Sequence, residues 1–266
     1  MKRCISNIAW KPDRNEEVVD LFKQYEIQHI EVAPKILFDD PTVVSDDNLS
    51  TVKEYWRQKG IQLYGMQALL YGNPELKLFE NSTSRANMFN YLKSIVELAG
   101  RLDIKRMVFG SPKNRFVENI SFDEAFGIAA DFFWEISEIC HQNGVILCLE
   151  PNAKGYGCNF INNTDEALRM IHEVNHKNFQ LNMDTSTLIM NDENFEESIL
   201  MAQKNIAHFH LSAPNLNSVS EDIIDFELVS RLLKQIEYAG AISIEMRPTT
   251  IPSIKKALAL LEKHFT

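Results

Sequence analysis

The chain carries VILCLE at 145–150, FQLNMD at 179–184, IAHFHL at 206–211 and AISIEM at 241–246. Short apolar or β-branched runs of this length predict buried strands. Between and after these runs the spacing of apolar residues changes to that of helices, at 164–174, 225–238 and 251–264. This alternation of strands and helices predicts an α/β fold built on a parallel sheet.

The first half of the chain repeats the same alternation. Its predicted strands are 4–9, 27–33, 61–69 and 105–110, and its predicted helices include 16–25, 87–102 and 122–143. Eight strands exceed the roughly five or six of an open doubly wound sheet and match the (β/α)8 barrel, or TIM barrel. We therefore predict a single TIM-barrel domain over residues 1–266, with long loops at 34–45 and 72–82 above its mouth.

Two predicted helices begin with the residues expected of an N-terminal cap. Ser121 and Thr164 each precede a pair of acidic residues. A side-chain hydroxyl can accept a hydrogen bond from the backbone at a helix start, and acidic residues in the first turn interact favourably with the helix dipole. We predict both hydroxyl residues as N-caps.

Composition and charge limit the classes of partner. Lys and Arg number 27 against 37 Asp and Glu, and the resulting net charge of −10 gives no general attraction for nucleic acid or anionic membranes. No apolar run approaches the ~20 residues of a membrane helix, and the first residues lack the apolar core of a signal peptide. The four cysteines are scattered and form neither a disulfide framework nor a zinc motif. We expect a soluble, cytoplasmic protein, and the sequence leaves open whether it forms a homo-oligomer.

Each of four consecutive predicted strands ends in or near a residue that can bind a metal or transfer a proton. These residues are Glu150, Asp184, His210 and Glu245. Catalytic groups of TIM barrels lie at the C-terminal ends of the strands, so we expect the four side chains to meet at one mouth. Three carboxylates and an imidazole suit one divalent ion, either Mn²⁺, Mg²⁺, Co²⁺ or Zn²⁺.

An acid that follows a strand has a second interpretation, as the N-cap of the next helix. For one such residue the cap is the more frequent role, but four in succession favour a shared site. Glutamate is a poor N-cap compared with aspartate, so Glu150 and Glu245 are harder than Asp184 to explain in this way. His208 points the same way as His210 but lies one layer deeper in the barrel. Two roles are compatible with this position: an interior histidine held by a hydrogen bond, or a residue that contacts a metal ligand or the substrate.

Six short motifs mark the strand ends: LCLEPN, LNMDTS, HFHLS and SIEMR in the second half, with EVAP and FGSPKNR in the first. Together they resemble the sugar phosphate isomerase/epimerase family of the xylose isomerase-like TIM barrel superfamily. The resemblance implies that the four strand-end residues hold one divalent ion, which chelates adjacent oxygens of a sugar. It also implies that Glu150 and Glu245 exchange a proton, through an enediolate, at the carbon beside the carbonyl.

Two positions depart from the ketose 3-epimerases of this family. Those enzymes carry a histidine three residues after the strand-six aspartate and an arginine six residues after the strand-seven histidine, and both groups hold sugar hydroxyls. This chain has Thr187 and Leu216 at these positions. These two departures predict a substrate that differs from the free ketoses of those enzymes, either another sugar or a differently substituted one.

Polar residues at or just beyond strand ends are the candidates for substrate binding. They are Trp10, Gln67, Lys113, Asn152, His208 and Arg247. The loop SPKNR (111–115) is basic in a negatively charged protein and could receive a phosphate or carboxylate, or it could be a solvated surface loop. Packing in the barrel is the alternative role of Trp10. We expect Glu31 to hydrogen-bond to a metal ligand or to the substrate rather than to ligate the ion.

Three other functions are alternatives to the isomerase. Apurinic-site endonucleases share the superfamily, but their three-metal cluster needs more strand-end histidines than this chain has. A non-catalytic sugar-binding barrel would be expected to have lost one of the four ligands. A dehydratase of a cyclic polyol or of dehydroshikimate would use the same metal with an additional acid for the leaving hydroxyl, and His208 is the nearest candidate. We predict a sugar isomerase or epimerase, with the dehydratase as the alternative.

Overall fold

Eight parallel strands close into a barrel in the computed structural model, which describes residues 1–265. They are β1 (Lys2–Ser6), β2 (His29–Val32), β3 (Gln62–Met66), β4 (Arg106–Phe109), β5 (Ile146–Leu149), β6 (Phe179–Asp184), β7 (Ile206–Ser212) and β8 (Ala241–Glu245). Each strand pairs with its neighbours in the sequence, and β8 pairs with β1, where Ser243 lies opposite Cys4. The predicted TIM barrel is confirmed.

Helices connect the strands. They are α1 (Asn15–Gln24), α2 (Pro34–Leu37), α3 (Asp46–Gln58), α4 (Ser82–Arg101), α5 (Phe122–Gln142), α6 (Thr164–Val174), α7 (Thr185–Met190), α8 (Phe195–Ala202), α9 (Phe226–Gln235) and α10 (Ile251–His264). The bounds of α6 and α10 agree with the sequence prediction. α4 begins before the predicted residue 87, because the side chain of Asn81 caps it by accepting a hydrogen bond from Ser84 N at 2.8 Å. None of these helices combines the length and the apolar character needed to cross a membrane.

One of the two predicted helix caps is wrong. Ser121 caps α5 as expected, since its hydroxyl accepts a hydrogen bond from Glu124 N at 3.2 Å. At α6 the cap is Asn163, whose amide oxygen accepts from Glu166 N at 2.9 Å. Thr164 is the first residue of the helix itself, because the backbone leaves the extended conformation one residue earlier than predicted.

The first strand is shorter than predicted. The sequence places it at 4–9, whereas β1 ends at Ser6 and Asn7–Ala9 form a 3-10 turn. The hydroxyl of Ser6 accepts a hydrogen bond from Ile8 N at 3.5 Å, which is typical of the start of a turn. The chain therefore leaves the barrel before Trp10.

Side chains alternate between two interiors along each strand. On β8, Ile242 and Ile244 belong to the hydrophobic core between the sheet and the helices, whereas Ser243 and Glu245 face the inside of the barrel. The outer core holds most of the buried apolar side chains. The barrel interior is consequently free to carry polar groups near its C-terminal end.

Candidate metal centre

The four predicted ligands come together at the C-terminal end of the barrel. Asp184 and Glu245 are the last residues of β6 and β8, Glu150 directly follows β5, and His210 lies within β7. One oxygen or nitrogen atom from each lies within 4.8 Å of the others. His210 Nδ1 is 3.3 Å from Glu150 Oε2, 3.4 Å from Glu245 Oε2 and 3.9 Å from Asp184 Oδ2.

The geometry at His210 fits a metal ion. Its Nδ1 is fully buried and has no hydrogen-bond partner among the described residues, although three carboxylate oxygens surround it. A buried nitrogen without a partner is unusual, and it is explained if its lone pair is directed at a cation. Three carboxylates with one imidazole are the donor set that Mn²⁺, Mg²⁺, Co²⁺ and Zn²⁺ accept, so the residues present fit such an ion.

Two side-chain amides hold Glu150 in place. Asn152 Nδ2 donates to its Oε1 at 2.7 Å, and Asn182 Nδ2 donates to its Oε2 at 2.7 Å. Gly110, directly after β4, leaves room for this carboxylate, because a Cβ at that position would lie 2.9 Å from Glu150 Oε1. Of these three supporting residues, only Asn152 was among the residues predicted from the sequence.

Asp184 combines the two roles that the sequence set against each other. Its Oδ1 caps α7 by accepting a hydrogen bond from Thr187 N at 2.9 Å. Its Oδ2 accepts from Ser212 Oγ at 2.7 Å and faces the cluster. Being an N-cap and belonging to the cluster are therefore compatible, because the two oxygens point to different partners.

Burial and mutual repulsion govern the protonation of the metal-free cluster. Burial, with the nearby charges of Glu150 and Glu245, raises the pKa of Asp184 to about 7. Burial and the charge of Glu150 also raise the pKa of Glu245. Burial alone would lower the pKa of His210, but the carboxylates of Glu31 and Glu245 raise it well above its usual value. Without metal, bound protons therefore reduce the negative charge of the cluster, a role that a divalent cation would take over.

The pKa of Glu150 shifts the other way. Burial alone would raise it, but contact with His210 and hydrogen bonds from Asn152 and Asn182 lower it. Donors aimed at a carboxylate favour its ionised form. Glu150 is therefore held as an anion in a fixed orientation.

Glu31 of β2 lies beneath the cluster and is completely buried. Its carboxylate is within hydrogen-bond distance of His210 Nε2 and of His208 Nε2, and it accepts a hydrogen bond from Ser243 Oγ at 3.1 Å. This position agrees with the expected contact to a metal ligand. His208 is also fully buried and does not line the cavity at the mouth, so its predicted substrate-binding role is corrected to an interior contact with Glu31.

A cavity of about 240 Å³ opens above the cluster. Glu150, Asp184 and Glu245 form part of its wall. The other lining residues are Gln67, Ala68, Val108, Gly110, Ser111, Pro112, Asn152, Tyr156, Ser186, Thr187, Ser212 and Leu216. Gln67 and Asn152 therefore lie where the sequence predicts substrate-binding residues. Thr187 and Leu216, at the two positions that depart from the ketose 3-epimerases, also line the cavity.

Trp10, Lys113 and Arg247 are not among the residues that line this cavity. The ring of Trp10 packs edge-on against Phe22, and its Nε1 donates to Asn15 at 2.7 Å, so it has the packing role. Lys113 is exposed. The guanidinium of Arg247 is exposed and donates to the backbone carbonyl of Asn215.

The basic loop at 111–115 directs its arginine inwards. Arg115 is completely buried, and its guanidinium donates to the backbone carbonyl of Glu150 at 2.8 Å and to Asn152 Oδ1 at 3.0 Å. Asn114 is buried as well and donates to the carbonyls of residues 73 and 76. The predicted anion-binding role therefore has no support from Arg115, which is used to hold the cavity wall.

Sequence reasoning missed Tyr156, Ser186 and Ser212 in the cavity wall. The hydroxyl of Tyr156 contacts Ser186 Oγ and accepts a hydrogen bond from Asn215 N at 2.9 Å. The alternation of side chains could have identified Ser212, which lies two residues after His210 on the same face of β7. The loop that carries Tyr156 has no periodicity, and no signal in the sequence places this residue over the site.

Comparison with known proteins identifies the family. The family model described as "Xylose isomerase-like TIM barrel" matches residues 19–264. The chain belongs to this family. An L-ribulose 3-epimerase from Methylomonas sp. (strain DH-1) is 29% identical over 110 residues, which cover 41% of this chain and 38% of that enzyme. The matched segment thus spans well under half of the curated relative.

Solved structures resemble this xylose isomerase-like barrel over its whole length. A D-psicose 3-epimerase from Clostridium cellulolyticum H10, with D-tagatose, has a TM-score of 0.82 at 16% identity and covers 99% of this chain and 98% of its own. An apo 3-keto-D-glucoside 4-epimerase from E. coli has a TM-score of 0.78 at 17% identity and covers 98% of both chains. At these identities the likeness establishes the fold.

Replacement of Asp184 by Asn should abolish tight binding of a divalent ion. The variant keeps an oxygen that can cap α7 but removes the negative charge that the cluster offers to a cation. Metal content should be measured after purification without chelator, beside the wild-type protein. Unchanged metal content in the variant would remove Asp184 from the site.

Metal affinity should rise with pH between about 6 and 8. Because the pKa of Asp184 is about 7 without metal, the ion must displace its proton below that pH and need not do so above it. Each displaced proton contributes about a tenfold change in affinity per pH unit, so the slope of log affinity against pH should decrease near pH 7.

Ser212→Ala provides the matched variant for this titration. Loss of the hydroxyl that donates to Asp184 Oδ2 should raise the pKa of Asp184 further and move the change of slope to higher pH. Dissociation constants measured by calorimetry in both proteins test this. An affinity that does not change between pH 6 and 8 would contradict the assignment.

Proposed function

We propose that the protein is a divalent-metal-dependent enzyme that isomerises or epimerises a sugar by proton transfer beside a carbonyl. The observation that carries the proposal is the convergence of Glu150, Asp184, His210 and Glu245, whose three carboxylates line a cavity. The relatives named above as sugar epimerases support the same class of reaction. The proposal includes a cytoplasmic location and a small-molecule sugar as the partner.

The chemistry requires charge stabilisation and two proton-transfer groups. A divalent ion held by the four residues would stabilise the negative charge that develops on the substrate oxygens when the neighbouring C–H proton is removed. Glu150 and Glu245 are the candidate acid and base, since both line the cavity and their Oε2 atoms lie 3.3 and 3.4 Å from His210 Nδ1. They extend from β5 and β8, so they approach the site from strands separated by β6 and β7.

This arrangement can serve either reaction. One carboxylate removes the proton, and the other, protonated at the start, delivers a different proton to the opposite face; this inverts the carbon, which is an epimerisation. Return of the proton to the adjacent carbon gives an isomerisation. Asn152 and Asn182 fix Glu150 as an anion, which suits it to receive the proton in one direction of the reaction.

The cavity wall favours a substrate other than the free ketoses of the 3-epimerases. Thr187 and Leu216 line it at positions where those enzymes carry a histidine and an arginine that hold sugar hydroxyls. Gln67, Asn152 and Tyr156 offer polar groups in their place. A cavity of about 240 Å³ suits a small ligand of the size of a monosaccharide.

A dehydratase remains the second candidate because one further proton donor reaches the cavity. His208, the predicted acid, is buried beneath the cluster and does not line this space. Tyr156 does line it, and its hydroxyl could protonate a leaving hydroxyl group. Dehydration would use the same cluster to stabilise the same type of anion.

A screen in deuterated water should distinguish the two reactions. Metal-loaded protein is incubated with free and phosphorylated sugars, cyclic polyols and dehydroshikimate, and products are analysed by mass spectrometry and NMR. Proton transfer through exchangeable carboxylates should place deuterium at the reacting carbon without loss of water. If dehydration products were the only turnover, the isomerase would be wrong and the lyase correct, with the barrel and the cluster unaffected.

Replacement of Glu150 or Glu245 by Gln should each lower the turnover rate by about 10²-fold or more, since each removes a proton-transfer group. Metal content is measured in the same preparations, so that loss of the ion is separated from loss of the base. Gln67→Ala is the control in the cavity wall, where we expect weaker substrate binding with a smaller effect on turnover. Full activity in a metal-loaded Glu245→Gln protein would exclude the mechanism with two bases.

A further inference from the structure

Glu31 is a buried acid that the proposed reaction does not use. It is completely inaccessible to solvent and lies below the cavity, so it cannot touch a substrate there. Gly65 on the neighbouring strand makes room for it, because a Cβ at that position would lie 3.1 Å from Glu31 Oε1 and 3.2 Å from its Cγ. An ionised carboxylate is costly to bury unless its partners compensate, so those partners indicate its role.

Both oxygens of Glu31 approach one nitrogen of His210. His210 Nε2 lies 3.2 Å from Oε1 and 3.0 Å from Oε2. An ionised carboxylate can only accept hydrogen bonds, so this contact requires the proton of the ring on Nε2. The other nitrogen, Nδ1, then faces the three carboxylates of the cluster, and its lone pair becomes available to a metal ion that displaces the Nδ1 proton.

We propose that Glu31 is a positioning residue that orients the imidazole of His210 and directs its Nδ1 towards the metal cluster. The inference rests on the metal site proposed above. If the ring turned over by half a rotation, Glu31 would face a carbon atom, and a buried carboxylate would lose its donor. Ser243 Oγ donates to Oε2 at 3.1 Å and keeps the carboxylate under the ring.

His208 supplies the second contact of the same carboxylate. Its Nε2 lies 3.0 Å from Glu31 Oε1, and its ring lies edge-on to that of His210 with 5.0 Å between the centroids. Glu31, His208 and His210 also bring one potential ligand atom each within 4.8 Å. A second ion bound by these three residues is therefore the competing interpretation, and the test must separate it from positioning.

Zinc affinity in a Glu31→Gln variant provides the first test. Loss of the carboxylate should weaken binding by about 10- to 100-fold, the range typical of groups that orient a metal ligand. Glu138→Gln is the matched control, because Glu138 Oε1 also lies 2.9 Å from a histidine, His176 Nε2, away from the cluster. We expect the zinc affinity of Glu138→Gln, measured by competition with a chromophoric chelator, to equal that of the wild type.

The nitrogen-15 spectrum of the zinc-loaded protein provides the second readout. In the wild type, the His210 ring should show zinc on Nδ1 and a slowly exchanging proton on Nε2. In Glu31→Gln this proton should exchange faster, and the ring should populate both orientations. A merely structural role of Glu31 would lower the melting temperature of the metal-free protein and leave both the affinity and the ring signals of the folded protein unchanged.

Three outcomes would overturn the inference. The first is an affinity and a His210 spectrum that do not change in Glu31→Gln, while the wild type binds zinc as proposed. The second is two zinc ions per wild-type chain and one in the variant, which would make Glu31 a ligand. The third is a wild type that binds no zinc, which would remove the proposed metal site as well.

Gly65→Ala keeps the inference testable if Glu31→Gln does not fold. The added methyl group would press on the Glu31 side chain at 3.1 to 3.2 Å and displace it while leaving its charge intact. A weaker zinc affinity with an altered Nε2 proton signal would support positioning. Wild-type values for both would contradict it.

Discussion

The burial of three carboxylates around a single imidazole nitrogen is the constraint on which the upper end of the barrel depends. Like charges in a poorly solvated interior repel each other, and each must find donors or take up a proton. Glu150 receives two amide donors, and Asp184 receives a hydroxyl and a backbone N–H. The raised pKa values of Asp184 and Glu245 show that these donors compensate only part of the repulsion.

The barrel can hold such a cluster because the two sides of its sheet do different work. The helix-facing side carries most of the apolar residues that stabilise the fold. The inner side carries buried polar residues, Glu31, Asn182, His208 and Ser243, beside a small apolar group of Cys4, Tyr64 and Ala241. Register shifts in the sheet occur between Ile30 and Glu31 and between Leu181 and Asn182. Each shift directly precedes a residue that contacts the cluster from below, which agrees with the tendency of bulges to redirect side chains.

Strand periodicity and strand ends were sufficient to predict the barrel and the four cluster residues, because both depend on local alternation and on the shared direction of parallel strands. The sequence predicts the basic loop at 111–115 either to bind an anion or to be solvated, but its Arg115 is buried, since the direction of a loop side chain depends on carbonyl groups from distant segments. Trp10 does not lie at the barrel mouth as predicted, because β1 ends early and a turn at Asn7–Ala9 precedes this residue. Tyr156 was missed because its position follows from a contact with the turn at Pro214–Leu216.

The capping bond of Asp184 joins the cluster to the cavity wall through a single side chain. Its Oδ1 holds the first turn of α7, and that turn carries Ser186 and Thr187, which both line the cavity. An ion that restrains this carboxylate also restrains the start of the helix. Whatever effect the ion has on sugar binding by this route, the sugar must have in equal measure on the affinity for the ion, because coupling free energies are reciprocal. This coupling through α7 would add to the direct contact between the ion and the sugar oxygens.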